Sequence, residues 1–137
     1  MGRILAIDYG TKRTGLAVSD PLRIIAGALE TVDTKSLERY IADYCAANDV
    51  ATIVLGKPSQ MNGTPSETMR FIEPLAARLR ARFPDKEVVL YDERFTSVIA
   101  QRTIRESGIG RMARRDKSLV DKVAATVILQ SYMDSRK

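Results

Sequence analysis

The sequence predicts an α/β domain in which one sheet packs against helices. Two adjacent strand-like segments near the start form a hairpin, and the segments after it alternate between helical periodicity and short apolar runs. A length of 137 residues suits one domain with a substantial core. We therefore expect residues 1–137 to form a single domain.

The first third of the chain predicts three strands. Arg3–Asp8 is apolar on both faces, as in a buried strand, and Tyr9–Arg13 is a turn that leads into a second strand at Thr14–Ser19. Ile24–Val32 supplies a third strand, in which Gly27 is a candidate for a bulge.

The middle of the chain predicts two helices separated by a strand. A helix over residues 35–47, capped by Asp33 or Thr34, has apolar residues at helical spacing. Ala51–Leu55 is a short strand, and the segment Thr64–Glu67 after it has the pattern of a capping box. Pro74 lies inside the second helix and should kink it.

The last third predicts one more strand and two helices. Glu87–Tyr91 is an apolar run typical of burial on both faces, and a helix over 97–107 ends at Gly108. A basic loop then leads to a final helix over 118–134, which buries the following residues: Val120, Val123, Ala124, Val127 and Ile128. A hairpin followed by strands that return through helices indicates a layered α/β fold.

The composition excludes several kinds of chemistry. The chain has no histidine, so it has neither a histidine-based triad nor a histidine-bound zinc. The only cysteine, Cys45, cannot form an internal disulfide, and we assign it to the core. No signal peptide or membrane-length apolar run is present, so we expect a cytoplasmic protein without a membrane partner. A net charge of +5 favours a polyanionic partner.

Acidic residues occur at three places where a functional site could form. Asp8 ends the first strand, although an aspartate there could equally begin a tight turn. Asp92 and Glu93 close the last strand, where opposite side-chain directions leave only one of them able to share a site with Asp8. Asp121 borders the apolar stripe of the final helix, and its alternative role is a salt bridge.

The three sites together suggest a magnesium centre. Mg²⁺ prefers oxygen ligands and is commonly held by a few carboxylates together with substrate phosphates. Two such ions about 4 Å apart can activate water and stabilise the leaving oxygen of a phosphodiester without any histidine.

Four motifs in order resemble those of the YqgF/RuvX family. They are the segment from Asp8 to Gly15, then Gly56-Lys57-Pro58 with Asn62-Gly63-Thr64, then Asp92-Glu93-Arg94 with Thr96, and finally Asp121 to Ala125. The resemblance runs nearly end to end and implies an RNase H-like fold with a mixed five-stranded sheet flanked by helices. It also implies a nuclease that matures the 5′ end of precursor 16S ribosomal RNA and is similar to Holliday junction resolvases. Asp8, Glu93 and Asp121 occupy the family's acidic positions, which implies that they bind Mg²⁺ or Mn²⁺, two ions with substrate bound, and catalyse hydrolysis.

Basic residues near these motifs are candidates for contacts with nucleic acid. Lys12, Arg13, Lys57 and Arg94 could bind phosphates, although an ion pair within the protein is an equal alternative for Arg94. The segment from Arg94 to Lys122 contains eight basic and three acidic residues, a net charge of +5. Its candidate contacts are Arg111, Arg114, Arg115 and Lys117.

Other functions remain open from the sequence. The Asp-x-Gly-Thr hairpin also resembles the phosphate loop of actin-like ATPases, but those proteins need two such domains. A non-catalytic factor that binds nucleic acid is a second alternative. Structured RNA and DNA junctions both remain possible substrates, and the chain could be a monomer or a homodimer.

Overall fold

The computed structural model describes residues 2–57, 69–92 and 117–136, with backbone alone over 117–122. The elements in these ranges are β1 (Arg3–Asp8), β2 (Arg13–Ser19), β3 (Ala26–Asp33), a 3₁₀ turn (Thr34–Ser36), α1 (Leu37–Ala47), β4 (Val50–Lys57), α2 (Met69–Arg82), β5 (Glu87–Asp92) and α3 (Lys117–Ser135). The predicted capping box at Thr64–Glu67, the helix over 97–107 and the basic loop lie outside the described residues.

The five strands form one mixed sheet in the order β3-β2-β1-β4-β5. The short turns after β1 and β2 make antiparallel hairpins, whereas the chain returns through α1 and α2 to place β4 and β5 parallel to β1. The sheet is therefore the mixed five-stranded sheet that the family resemblance implies. Because β1, β4 and β5 are parallel, their carboxyl ends meet at one edge, which we call the carboxyl edge.

Alternate residues of the sheet enter two separate cores. On one face, side chains such as Leu5 and Ile7 pack with α1 and α2. On the other face, Ile4 and Ala6 pack with α3. The strict alternation along β1 explains why this strand is apolar on both faces, as predicted.

Some details of the first half differ from the sequence predictions. β3 begins at Ala26, and its bulge lies at Leu29, because Glu30 and Ala28 pair with consecutive residues of β2 while Gly27 pairs regularly with Val18. Neither Asp33 nor Ser36 caps a helix with its side chain, and the hydroxyl of Thr34 binds the β1–β2 turn instead.

The second half also departs from prediction in its burial. β5 lies at the edge of the sheet, and Val88 is its one buried residue, so the prediction that this strand is buried on both faces was wrong. Val123 and Ala124 of α3 are half-buried, whereas Ala125, Leu129 and Tyr132 belong to the core. The buried surface of α3 is therefore rotated and wider than the predicted stripe. Cys45 is half-buried and packs against the core beneath α1, as predicted.

No helix within the described parts of the chain is both long and apolar enough to cross a membrane.

Candidate active site at the carboxyl edge

Asp8 lies at the carboxyl edge on the central strand of the sheet. Ile7 points into the core beneath α1 and α2, and Ala6 points into the core beneath α3. The alternation therefore directs Asp8 to the face covered by α3. Asp8 as a whole residue is half-buried.

Glycines flank Asp8 on both neighbouring strands. Gly15 of β2 pairs with Asp8, and one further step of the parallel register from Ile7 and Leu55 brings Gly56 of β4 beside it. Neither neighbour adds a side chain on the face of Asp8. Two of the glycines in the family motifs thus keep the sheet surface bare around the carboxylate.

The turn after Asp8 is held by hydrogen bonds to Thr34. The Thr34 hydroxyl donates to the carbonyl oxygen of Gly10 at 2.5 Å and lies 2.9 Å from the hydroxyl of Thr14, while the Thr34 amide donates to the carbonyl oxygen of Lys12 at 3.0 Å. The turn is also tight, because a Cβ added to Gly10 would clash with the carbonyl oxygen of Arg13. The position of Asp8 is thus fixed by backbone contacts on its carboxyl side.

Asp92 falls on the opposite face from Asp8. Leu90 packs against the core beneath α1 and α2, and Tyr91 packs against the core beneath α3, where its hydroxyl lies 2.7 Å from that of Ser131. Alternation then returns Asp92 to the α1–α2 face, level with Lys57 of β4. Glu93 lies outside the described residues.

The backbone of Asp121 lies in α3, one turn before Ala125. Tyr132 and Met133, near the carboxyl end of α3, line a cleft with Ile4 and Glu87 at the amino ends of the strands. The amino-terminal part of α3 therefore extends in the direction of the carboxyl edge. This direction brings the backbone of Asp121 toward the end of the sheet that holds Asp8.

Asp8 offers a carboxylate oxygen as a ligand for a hard cation. Within the described residues, no cluster of three potential metal ligands occurs. A carboxylate with bare sheet surface around it fits Mg²⁺, which takes oxygen ligands and retains water. When bound, such an ion would polarise a phosphodiester and supply activated water.

The described basic candidates surround this edge and reach solvent. Lys12 and Arg13 are exposed in and just after the β1–β2 turn, and Lys57 is exposed at the end of β4. Of the remaining candidates, Lys117 is described by its backbone alone, and the others lie outside the described residues: Arg94, Arg111, Arg114 and Arg115.

The structure reveals an aromatic pair that the sequence analysis missed. The ring of Tyr9, the residue after Asp8, stacks with that of Phe71 in α2 at a centroid distance of 6.4 Å. The guanidinium of Arg70 lies 4.9 Å from the centroid of the Phe71 ring. Phe71 lies outside the buried face of α2, which Ile72, Leu75 and Leu79 form.

Two groups whose pKa values are raised by burial, the Tyr132 hydroxyl and the Cys45 thiol, lie away from this edge. Burial raises the pKa of the Tyr132 hydroxyl in the cleft at the amino ends of the strands. Burial likewise raises the pKa of the Cys45 thiol, which makes it a poor nucleophile at neutral pH. Neither group is therefore a candidate for the chemistry at Asp8.

Comparisons with known proteins identify close relatives. The family model described as "RuvX: Holliday junction resolvase" matches residues 2–135. A protein of Porphyromonas gingivalis is 57% identical over 135 residues, which are 98% of this chain and 98% of that protein. A protein of Bacteroides thetaiotaomicron is 50% identical over 137 residues, 100% of this chain and 99% of its own length. Both bear the name "Putative pre-16S rRNA nuclease".

A solved structure shares the fold at low sequence identity. The structure of T. thermophilus RuvC in complex with a Holliday junction substrate matches with a TM-score of 0.59 and 18% identity. The match covers 98% of this chain and 96% of that one. The sheet and helices described above therefore form an RNase H-like fold of the RuvC type.

Proposed function

The chain belongs to the RuvX family, and from that membership we propose that it is a metal-dependent nuclease that processes the 5′ end of precursor 16S rRNA. The observation that carries the proposal is Asp8, a carboxylate at the carboxyl end of the central strand with glycines on both sides. That edge of an open α/β sheet is where substrates usually bind.

The proposed catalytic and metal-binding residues are Asp8, Glu93 and Asp121. Asp8 faces α3, the helix that contains Asp121. The opposite direction of Asp92 favours Glu93, its neighbour, as the acidic residue of the third motif. Three carboxylates would hold Mg²⁺ or Mn²⁺, two ions with substrate bound, and position water for attack on the phosphorus.

The rest of the chain fits this role. Residues 1–137 would act as one nuclease domain in the cytoplasm, where ribosomal RNA is made. Exposed Lys12, Arg13 and Lys57 at the same edge would bind substrate phosphates. The basic residues Arg94, Arg111, Arg114, Arg115 and Lys117 would extend this contact along the nucleic acid.

The test is a cleavage assay on precursor 16S RNA with four single variants that each remove one negative charge. Asp8→Asn, Glu93→Gln and Asp121→Asn should each lower the metal-dependent cleavage rate by at least about 100-fold, because each removes a metal ligand. Asp92→Asn is the matched control and should retain a rate within a few-fold of the wild type. Loss of cleavage in Asp92→Asn with retention in Glu93→Gln would reverse the assignment of the third ligand.

Cleavage of four-way DNA junctions is the second candidate function. It is favoured by the description of the matching family as a Holliday junction resolvase. Symmetric junction cutting needs two active sites, so this function requires a homodimer. A monomer that cuts precursor RNA and leaves junctions intact would eliminate it.

A further inference from the structure

The Tyr9–Phe71 pair lies at the carboxyl edge, on the opposite face of the sheet from the Asp8 side chain. Tyr9 follows Asp8 directly in the chain and is half-buried against the core beneath α1 and α2. Its ring supports that of Phe71, and the two planes are inclined by 29°. Tyr9 thus anchors an aromatic surface at the carboxyl edge, on the α1–α2 side of the sheet.

Phe71 exposes part of an aromatic ring to solvent. A smaller aliphatic residue or a polar residue at this position would leave less apolar surface in contact with water. Its relative exposure is 38%, and the other large exposed hydrophobic residues among those described are aliphatic and lie on the β2–β3 loop. The core of α2 is complete without it, because Ile72, Leu75 and Leu79 supply the buried face. The ring is therefore available to a ligand rather than needed for the core of the helix.

The charge around Phe71 suits a nucleotide. The guanidinium of Arg70 lies over the ring at 4.9 Å, and Lys12 and Lys57 are exposed at the same edge of the sheet. An aromatic face next to cationic groups matches the two parts of a nucleotide, because the base stacks and the phosphate pairs with the cation.

We propose that Phe71, supported by Tyr9 and flanked by Arg70, is a stacking platform for an unpaired base of the substrate at the carboxyl edge, on the α1–α2 side of the sheet. The proposal rests on the proposed nuclease function and specifies its substrate as single-stranded at that point. A paired base inside a duplex keeps its faces covered by its neighbours, so the platform selects an unpaired strand over a duplex. The Arg70 guanidinium would then move from the ring to a flanking phosphate or stack on the base itself.

A second Arg–Phe pair on the same helix provides an internal control. Arg82 lies 5.9 Å from the ring centroid of Phe83 at the carboxyl end of α2. Phe83 is half-buried and packs against the core, whereas Phe71 belongs to neither core cluster. The two pairs have the same residue types but differ in exposure and lie at opposite ends of α2.

Tryptophan fluorescence can test the platform directly, because the chain contains no tryptophan. Phe71→Trp and, as control, Phe83→Trp are prepared in an Asp8→Asn background and titrated with a short single-stranded RNA or with its blunt-ended duplex. Single-stranded RNA should quench the tryptophan emission of Phe71→Trp, and the quenching should saturate as RNA is added. The duplex should quench it much less. Emission of Phe83→Trp should stay constant. Anisotropy of end-labelled RNA provides an independent measure of binding.

Binding by further variants separates stacking from packing. Phe71→Ala and Phe71→Leu should both weaken single-stranded RNA binding about tenfold, on the scale of one stacked base, whereas Phe71→Tyr should stay near the wild type. Phe71→Leu keeps the apolar contact with Tyr9, so near-normal binding by this variant would reduce Phe71 to a packing residue. Circular dichroism confirms that each variant folds.

The outcomes distinguish this inference from the proposed function. Unquenched Phe71→Trp under conditions where anisotropy shows saturated RNA, or no RNA binding at all, would overturn the platform, whatever the cleavage assay shows. Quenching together with undiminished cleavage by Asp8→Asn would instead leave the platform in place and overturn the catalytic assignment.

Discussion

Thr34 shows how a single side chain can position the proposed catalytic residue. Its hydroxyl joins the Gly10 carbonyl to the Thr14 hydroxyl, and its amide binds the Lys12 carbonyl, so the start of α1 is tied to the turn after Asp8. The sequence predicted that Thr34 or Asp33 caps a helix. That interpretation was wrong, because a 3₁₀ turn precedes α1 and the Thr34 hydroxyl donates to the distant Gly10 carbonyl instead.

Thr34→Val should weaken both the fold and the activity. The variant keeps the shape of the side chain but removes the hydroxyl, which should lower the free energy of unfolding by about 1–2 kcal/mol. Cleavage should fall further than stability explains, because the turn no longer fixes Asp8. Urea unfolding and a cleavage assay at a temperature where the variant is folded provide the two measurements.

Ser36→Ala is the matched control for Thr34→Val. Ser36 is exposed at the start of α1 and makes no capping hydrogen bond with its side chain. Its loss should change neither quantity appreciably. Equal effects of the two substitutions would show that the Thr34 bridge does not position Asp8.

The choice between Asp92 and Glu93 shows what alternation alone can resolve. The sequence analysis concluded that one of the two acids could share a site with Asp8 but left the choice open. The register between β4 and β5 and the packing of Tyr91 against the core beneath α3 determine the face on which Asp92 lies. Both are long-range contacts, which the sequence alone does not show. The participation of Glu93 stays a prediction.

At the scale of whole elements, the bounds of the strands, of α1 and of α3 were all predicted to within two residues. β1 has the predicted bounds, and the other strands begin or end within two residues of prediction. Strand periodicity is set by burial on the two sheet faces, which the sequence displays directly. Helix ends depend on contacts with distant turns, and α1 therefore begins at Leu37 after a 3₁₀ turn.

Pro74 is an element-scale anomaly, because it lies inside α2 on the exposed face. A proline there cannot donate the backbone hydrogen bond to the carbonyl four residues earlier. Pro74→Ala should restore that bond and raise the free energy of unfolding by about 1–3 kcal/mol, seen as a higher urea midpoint with an unchanged slope. Cleavage should not change.

Glu73→Ala provides the control for the proline substitution, since Glu73 is the exposed neighbour on the same helix. Its effect should stay within about 0.5 kcal/mol. A lower stability of Pro74→Ala would mean that α2 needs the local geometry that proline imposes.

At the scale of the whole molecule, the fold separates structural from functional surface. The face beneath α1 and α2 is a continuous core, whereas the carboxyl edge collects a half-buried carboxylate, a constrained turn, exposed cations and an aromatic pair. The first three follow from motifs that can be read in the sequence. The aromatic pair joins residues more than sixty positions apart, so only the fold could reveal it.

The composition of the whole chain indicates the class of its partner. Its positive net charge and its lack of histidine together favour carboxylate-bound metal acting on a polyanion. Charge alone leaves RNA and DNA equivalent. The proposed base-stacking role of Phe71 would favour an unpaired strand, which precursor RNA offers more readily than a fully paired junction arm.

The most direct test of the central claim offers a precursor 16S RNA fragment and a four-way DNA junction side by side to the wild type and to Asp8→Asn, with Mg²⁺ or Mn²⁺ and with a chelator. We expect the wild type to cut the RNA at its 5′ side only with metal present, and Asp8→Asn to bind the RNA without cutting it. Cleavage of the RNA that persists in Asp8→Asn or in chelator, or the absence of any cleavage by a wild type that binds RNA, would contradict the account.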